Sequence, residues 1–269
     1  MSGVNAFASN TRITGTVNTQ PVETYSNLVA TGSVPGTSFV RISGLGTVDA
    51  SERPLRGAAG AASYTFLSSP VTLEVVSNSA NDAAAGSGAR TLSVDGLDST
   101  GALLTTTVAL NGTTPVALTG SWLRVFRVQV LTQGTYGQVG VANAGTILIR
   151  TASAGATHAT VLPNQGESQI ASWTVPNGFT AHVHNYQIYV DGSKSANLRL
   201  YKREGVLTAG APFTPWLRLQ AYIGIGGGLD VSLPFPILFP QGTDIVWTGQ
   251  NGASTSDVTV NCVLELVAD

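Results

Sequence analysis

Residues 71–131, VTLEVVSNSANDAAAGSGARTLSVDGLDSTGALLTTTVALNGTTPVALTGSWLRVFRVQVL, decide the fold of this chain, because strand patterns and turn residues alternate along them without interruption. Apolar and polar residues alternate over 71–76, 92–97 and 123–130, which is the two-residue period of a half-buried strand and not the period of a helix. Residues 105–110 are rich in β-branched side chains, which also favour a strand. The stretch therefore predicts an antiparallel β-meander with no helix.

Two local features refine this meander. Asn111 and Gly112 form the dipeptide that best tolerates the positive φ angles of a tight hairpin, so we expect the chain to turn there and return through 115–118. The alternation over 123–130 slips near Arg127, which indicates a β-bulge.

The chain as a whole is predicted to be all-β, with two tandem β-sandwich or jelly-roll-like domains after an extended N-terminal arm. Residues 1–65 are irregular and rich in Gly, Ser, Thr, Asn and Pro, and we interpret them as the arm and its linker. The first domain is placed at 66–155 and the second at 156–269, on either side of an Ala-, Ser- and Gly-rich stretch. Further strands are predicted over 146–150, 169–175, 179–190, 197–202, 217–225, 229–233, 244–248 and 257–267.

The run 233–240, LPFPILFP, contains three prolines, which cannot sit in a central ladder. It predicts an edge strand or a crossing between sheets. The single cysteine, Cys262, falls in an alternating strand pattern and is predicted to be a small core residue.

Composition restricts the function. Of the 269 residues 43% are hydrophobic, enough for a core, whereas only 10% are charged, against about 25% in an ordinary soluble domain. The net charge of -2, without a cluster of Lys and Arg, argues against nucleic acid as a partner. The sequence shows neither a secretory signal nor an apolar stretch long enough for a bilayer, so we expect a soluble protein made in a cytoplasm, with no membrane partner.

The search for a metal site or cofactor finds one weak candidate. His182 and His184 lie two apart on a predicted strand, which puts both rings on one face, while His158 lies elsewhere. A third ligand is not evident from the sequence, and we interpret the pair as part of a solvent-exposed or intersubunit face rather than as a metal site. We therefore predict no metal and no cofactor.

Other chemical patterns have simpler interpretations. Asn81-Asp82, Asp95 and Asp98 could offer oxygen ligands to calcium, but their spacing fits no EF-hand loop and Asx turn capping explains them. Ser87 lacks the flanking pattern of a nucleophile elbow. The acids are scattered at turns rather than paired for glycoside hydrolysis, so we predict that the protein is not an enzyme.

Segments such as SANDAAAGSGART, TTTVALNGTT and SWLRVFRVQVL resemble the recurrent β-rich module of tailed-bacteriophage virion proteins. Residues 161–269, with LPNQGESQIASWTVPNGFTAHV, SANLRLYKRE and PFPILFPQGTDIVW, are similar to the C-terminal β-sandwich that follows that module. The resemblance implies a non-enzymatic capsid decoration or cement protein, located on the surface of the virion. Its implied partners are the major capsid protein and further copies of itself, as a homotrimer.

Under this interpretation, five apolar residues of the arm are candidates for contact with the shell: Phe7, Ile13, Val17, Phe39 and Ile42. Two alternatives remain open. One is a host-receptor or fibre-associated module that recognises glycans through loops 134–145 and 202–215. The other is a glycan-active enzyme on a β-sandwich scaffold, since such scaffolds carry all three functions.

Overall fold

The structure is a computed structural model that describes residues 24–57, 66–137, 140–208, 210, 213–252 and 254–269. It contains a helix, α1 (Tyr25–Ala30), a 3-10 turn (Val206–Thr208) and strands throughout, which confirms the all-β prediction. The strands are β1 (Thr37–Val48), β2 (Arg53–Pro54), β3 (Leu73–Ser77), β4 (Ala89–Asp98), β5 (Leu103–Ala109), β6 (Val116–Ala117), β7 (Trp122–Gln133), β8 (Ile147–Thr151), β9 (Thr157–Val161), β10 (Ser172–Thr174), β11 (Phe179–Val190), β12 (Ala196–Arg203), β13 (Leu217–Ile225), β14 (Gly227–Phe239), β15 (Asp244–Gln250) and β16 (Ser256–Ala268). Within these ranges no helix has the length and apolar character needed to cross a membrane.

The strands form four sheets and two hydrophobic cores. One pair of sheets has the orders β6-β3-β8-β9 and β5-β4-β7, and its strands lie between residues 73 and 161. The other pair has the orders β1-β16-β11-β14 and β10-β15-β12-β13, with β2 added beside β15. We call the first the inserted sandwich and the second the terminal sandwich, because the terminal sandwich uses strands from both ends of the chain and the inserted one lies between β2 and β10.

Strand β1 lies in the stretch for which an extended arm was expected. It pairs with β16 along its whole length, from Thr37 opposite Val267 to Val48 opposite Ser256. The sequence of β1 does not show the alternation of apolar and polar residues expected of a strand, because two of its inward-facing positions are glycines. A Cβ on Gly44 would lie 2.3 Å from the Cβ of Ala171, so close approach of the neighbouring chain requires glycine there. Residues 37–48 are thus part of a sheet. Strand β9 belongs to the inserted sandwich, whereas the sequence placed the start of the second domain at residue 156.

Within the inserted sandwich, the strands of the opening stretch form where the sequence predicts them, but they do not make a simple meander. Strands β5 and β6, on either side of Asn111-Gly112, lie in different sheets, so the predicted hairpin is not formed. Gly112 does adopt a positive φ of 59°. Its N–H donates to the carbonyl of Asp82 and its carbonyl accepts from the N–H of Ser77, so the turn is held against the end of β3 and the loop that follows it. The predicted bulge is confirmed, because the register of β7 against β4 shifts between Arg127 and Val125.

The terminal sandwich matches the sequence prediction most closely in its strands. The bounds of β11 and β13 are those predicted, and Cys262 is buried in the core between its neighbours on β16. Pro234 and Pro236 lie on β14, which is the edge strand of its sheet, as the proline run predicts. No strand of the described chain pairs with the outer side of β13 or β14.

A buried ion pair holds the two sandwiches together. Arg124 of the inserted sandwich is 2% exposed, and its Nε and one terminal nitrogen each donate to a different carboxylate oxygen of Asp244, both at 2.9 Å. Asp244 also accepts from Thr174 at 2.6 Å and from Arg203 at 2.8 Å. Beside this network, the rings of Phe126 and Trp173 pack across the same junction at 5.3 Å. Both carboxylate oxygens of Asp244 and the guanidinium of Arg124 are hydrogen-bonded, so the pair fixes the orientation of the junction, although Nε of Arg203 is buried without a hydrogen-bond partner among the described residues.

Candidate interaction surfaces

The first candidate site lies on the outward face of the sheet β1-β16-β11-β14. Strand β11 places His182 directly opposite Glu265 of β16, and the register of β11 then shifts between Val183 and Asn185. His184 is the extra residue of this bulge. The bulge keeps its side chain on the outward face, so both imidazoles reach the same carboxylate.

The distances in this cluster are short. Oε2 of Glu265 lies 2.8 Å from Nε2 of His184 and 3.6 Å from Nδ1 of His182. The hydroxyl of Tyr25 on α1 donates to Oε1 of Glu265 at 2.7 Å. The potential ligand atoms of the two histidines and the glutamate all lie within 4.8 Å of one another. We call His182, His184 and Glu265 the His-Glu cluster.

Electrostatics favour an ionised carboxylate in the His-Glu cluster. Glu265 is only 4% exposed, and burial by itself would raise its pKa. Hydrogen bonds from Tyr25 and His184, with the nearby charge of the imidazoles, outweigh burial and hold the pKa of Glu265 below its usual value. Conversely, the hydrogen bond to Glu265 raises the pKa of Tyr25. The cluster can therefore attract a cation, a proton or a basic partner.

Sequence reasoning identified two members of the cluster and missed the third. The two-residue spacing correctly put His182 and His184 on one face. Glu265 was missed because it lies 81 residues beyond His184, and only the antiparallel register of β11 and β16 brings it to them. His158 lies apart from the cluster, buried, with its Nε2 2.9 Å from the hydroxyl oxygen of Thr151.

The structure separates the five shell-contact candidates. Phe7, Ile13 and Val17 lie outside the described residues. Phe39 faces outward on β1, opposite Glu265, and is 38% exposed. Ile42 is buried in the core of the terminal sandwich, where β1 packs against the opposite sheet, so in this fold its side chain cannot contact a shell.

The second candidate surface is formed by β13 and β14, one edge strand from each sheet of the terminal sandwich, which we call the open edge. Ile223 is 66% exposed and Phe235 is 81% exposed, fractions that are high for large apolar side chains on strands. Leu217 and Leu238 are also exposed, and Leu238 lies opposite His182, so the open edge adjoins the His-Glu cluster. Several exposed apolar side chains on edge strands, each paired on one side only, are typical of a contact surface.

The third candidate is a groove of about 500 Å³ where β1 meets the inserted sandwich. Its walls include the rings of Phe39 and Phe126 and the charged side chains of Arg41, Asp95 and Arg127. Arg127 pairs with Glu167 at 2.9 Å across the same groove. The combination of rings and hydrogen-bonding groups suits a polar ligand with apolar faces, such as a sugar.

Of the acidic residues considered for calcium, Asp82 and Asp98 cap turns, as the sequence predicts, whereas Asp95 lies within β4 and accepts from the hydroxyls of Ser93 and Thr105. Asp82 is fully buried and accepts from the hydroxyl of Ser77 at 2.7 Å and from the N–H groups of residues 89, 144 and 145 at 2.8 to 2.9 Å. Asp98 accepts from the N–H and hydroxyl of Thr100 and from the N–H of residue 102. These bonds lower the pKa of Asp98 in spite of burial, which would raise it.

The sequence matches no protein-family model, and it has no match among curated proteins. Among solved structures, similarity is found to the VP2 subviral particle of infectious bursal disease virus, with 8% identity, 86% of this chain and 72% of that chain covered, and a TM-score of 0.23. A structure of the Gx strain of the same virus has 10% identity, 87% and 81% coverage, and a TM-score of 0.21. Both neighbours are viral, but TM-scores this low carry no argument about the fold or role of this chain.

Proposed function

We propose that this protein is a non-enzymatic structural protein of a phage virion, of the decoration or cement type, which binds the outer surface of the head and stabilises it. The observation that carries the proposal is the open edge. A protein that acts by burying surface against its neighbours needs exposed apolar side chains, and the open edge carries them on two strands whose outer sides are unpaired within the described chain. The resemblance of its sequence segments to tailed-phage virion proteins supplies the class of partner.

The chemistry of the open edge indicates contact through side chains. Pro234 and Pro236 remove backbone donors from β14, so this edge is poorly suited to accept an added strand. Phe235 lies between them and is almost fully exposed. A rigid aromatic ring held out on a strand is the kind of anchor that dominates protein interfaces when it enters a pocket of the partner.

Low charge supports the same proposal. With 10% charged residues the chain has few groups that must be desolvated when its surface is covered. We further propose that the protein acts as a homotrimer on the capsid, so that several copies bind with avidity, and that the residues before Thr24, with Phe7, Ile13 and Val17, add contacts to the shell. Phe39, exposed on β1, is the described residue of this set that can join them.

The test is binding of the purified protein to heads that lack it. We expect saturable binding that raises the temperature at which the heads release their DNA. Phe235→Asp should weaken binding at least 10-fold, since it places a charge in the contact. The matched control is Leu131→Asp, which changes an exposed apolar residue at the end of β7 in the inserted sandwich and should leave binding unchanged.

A second variant tests the arm. Deletion of residues 1–23 leaves α1 and β1 in place, whereas deletion to residue 60 would remove β1 from its sheet. We expect the shorter deletion to fold and to bind heads more weakly. Failure of the intact protein to bind heads, or equal loss with Leu131→Asp, would contradict the proposed function.

The groove between the sandwiches favours a second candidate function, recognition of a host glycan by an adhesion module. Phe39 offers a ring, and Asp95 and Arg127 offer hydrogen-bonding groups within one concave site. Binding of the intact protein to host cells and to isolated surface polysaccharide, lost in Arg127→Ala but retained in Phe235→Asp, would establish this function in place of head binding. Release of reducing sugar in the same mixtures would instead show an enzyme.

A further inference from the structure

We propose that the His-Glu cluster is a zinc site, in which His182, His184 and Glu265 bind one Zn²⁺ and leave a fourth position open. The proposal goes beyond the proposed function and does not depend on it. It rests on the donor types, their spacing and the way the fold supports them.

The donor set is one that zinc prefers. Neutral imidazole nitrogen and carboxylate oxygen are ordinary zinc ligands, and two histidines with one glutamate form a known type of three-residue set with an open position. Ligand atoms of a tetrahedral zinc ion lie about 2.0 to 2.2 Å from the metal, and therefore about 3.3 Å from one another. The two distances from Glu265 to the imidazoles, 2.8 and 3.6 Å, lie on either side of that value.

Rotation of side chains is enough to bring all three ligand atoms to the separation that zinc requires. No two ligand atoms are more than 4.8 Å apart. Glu265 is nearly buried, whereas the side chains of His182 and His184 are 26% and 46% exposed. The glutamate is therefore the fixed ligand, and the two imidazoles have room to turn toward a shared ion.

A hydrogen bond from Tyr25 holds the carboxylate of Glu265 in place, as the groups that orient metal ligands do in metal sites. Tyr25 donates to the oxygen of Glu265 that His184 does not contact, which leaves Oε2 directed at the histidines. The bulge at His184 is a local irregularity in an otherwise regular pairing of β11 with β16, and bulges commonly re-aim a side chain at a functional site. Binding of an ion here would also fasten α1 to the sheet through Tyr25.

The experiment uses the untagged full-length protein, freed of metal by a chelator that is then removed by dialysis. Titration with ZnCl₂ by calorimetry should show one equivalent bound, and zinc should raise the thermal unfolding midpoint, reversibly on adding chelator. Titration with CoCl₂ should give the visible absorption of a four-coordinate cobalt ion, a signature that loosely bound surface metal does not produce.

Three variants locate the site. His184→Ala and Glu265→Gln should each weaken zinc binding at least 10-fold and abolish the cobalt absorption. Glu265→Gln keeps the shape of its side chain, so it still tests the site if His184→Ala folds poorly. Asn185→Ala is the matched control, since it changes the other exposed residue of the same bulge without removing a ligand. A stoichiometry near zero, or binding that His184→Ala and Glu265→Gln leave intact, would overturn the proposal.

Discussion

Replacement of Arg124 by Met should destabilise the protein more than any single change in its surface ion pairs. The guanidinium makes four hydrogen bonds: two to Asp244 and one each to the carbonyls of Leu67 and Leu123, at 2.7 to 2.9 Å. Removing one partner of a buried ion pair costs about 3 to 5 kcal/mol, because the other charge stays buried. Arg203 still contacts Asp244 in the variant, which favours the lower end, about 3 kcal/mol.

The assay is equilibrium unfolding in urea, followed by tryptophan fluorescence and by far-UV circular dichroism. With a slope of about 3 kcal/mol per molar urea, the midpoint should fall by about 1 M. Arg124→Lys keeps the charge but loses the planar guanidinium that matches both carboxylate oxygens. Its urea midpoint should therefore lie between those of Arg124→Met and the natural protein.

The matched control is Arg127→Met on the same strand. Its pair with Glu167 has the same 2.9 Å distance, but the two side chains are 50% and 37% exposed. Exposed pairs contribute less than about 1 kcal/mol. Equal destabilisation by Arg124→Met and Arg127→Met would refute the reasoning that burial of the pair, and not its geometry alone, fixes the junction.

Three further predictions concern stability and reactivity. Burial alone would raise the pKa of Glu74, but an arginine and two backbone N–H groups that bond the carboxylate hold it below its usual value. A lowered folded pKa gives stability that is present above the unfolded pKa of about 4.3 and is lost as the pH falls through the folded value. Urea midpoints should therefore show the natural protein more stable than Glu74→Gln at pH 7, and this advantage should shrink progressively as the pH falls below about 4. Burial raises the pKa of Cys262 to about 12, so a thiol reagent at pH 8 should label it only after unfolding, and rapid labelling of the native protein would argue against this packing. Gly44→Ala should cost about 1 to 3 kcal/mol in urea unfolding because its Cβ would meet Ala171, whereas Gly192→Ala, which meets nothing within 4 Å, should change little.

Strands with a clear two-residue period were predictable from the sequence. The bounds of β11 and β13 follow from alternation closed by turn residues such as Asp191-Gly192. Strand β1 was not predicted, because glycines at inward positions remove the apolar signal where the neighbouring chain approaches closely. Strand β9 was missed for a different reason. Four of its five residues are buried, so buried and exposed positions do not alternate along it.

The insertion of one sandwich between strands of the other could not be predicted from local sequence patterns. It depends on pairing Thr37 with Val267, at opposite ends of the chain, and a two-residue period specifies which face of a strand is buried but not which strand lies beside it. The same limit explains the His-Glu cluster. The spacing of His182 and His184 is local and was visible, whereas Glu265 enters through the register of a distant strand.

The buried network at the junction affects how the groove between the sandwiches can act. The chain passes twice between the sandwiches, so without strong contacts the two bodies could turn relative to one another, and each binding event would have to order them. Arg124 and Asp244 oppose this because their bidentate geometry is satisfied at one orientation only. The two walls of the groove, one from each sandwich, are then held at a fixed distance and angle before a ligand binds. A loss of head binding in Phe235→Asp with unchanged urea midpoint therefore reports lost contact at the open edge, which lies wholly on the terminal sandwich. A loss of ligand binding in Arg124→Met would instead report a disturbed groove.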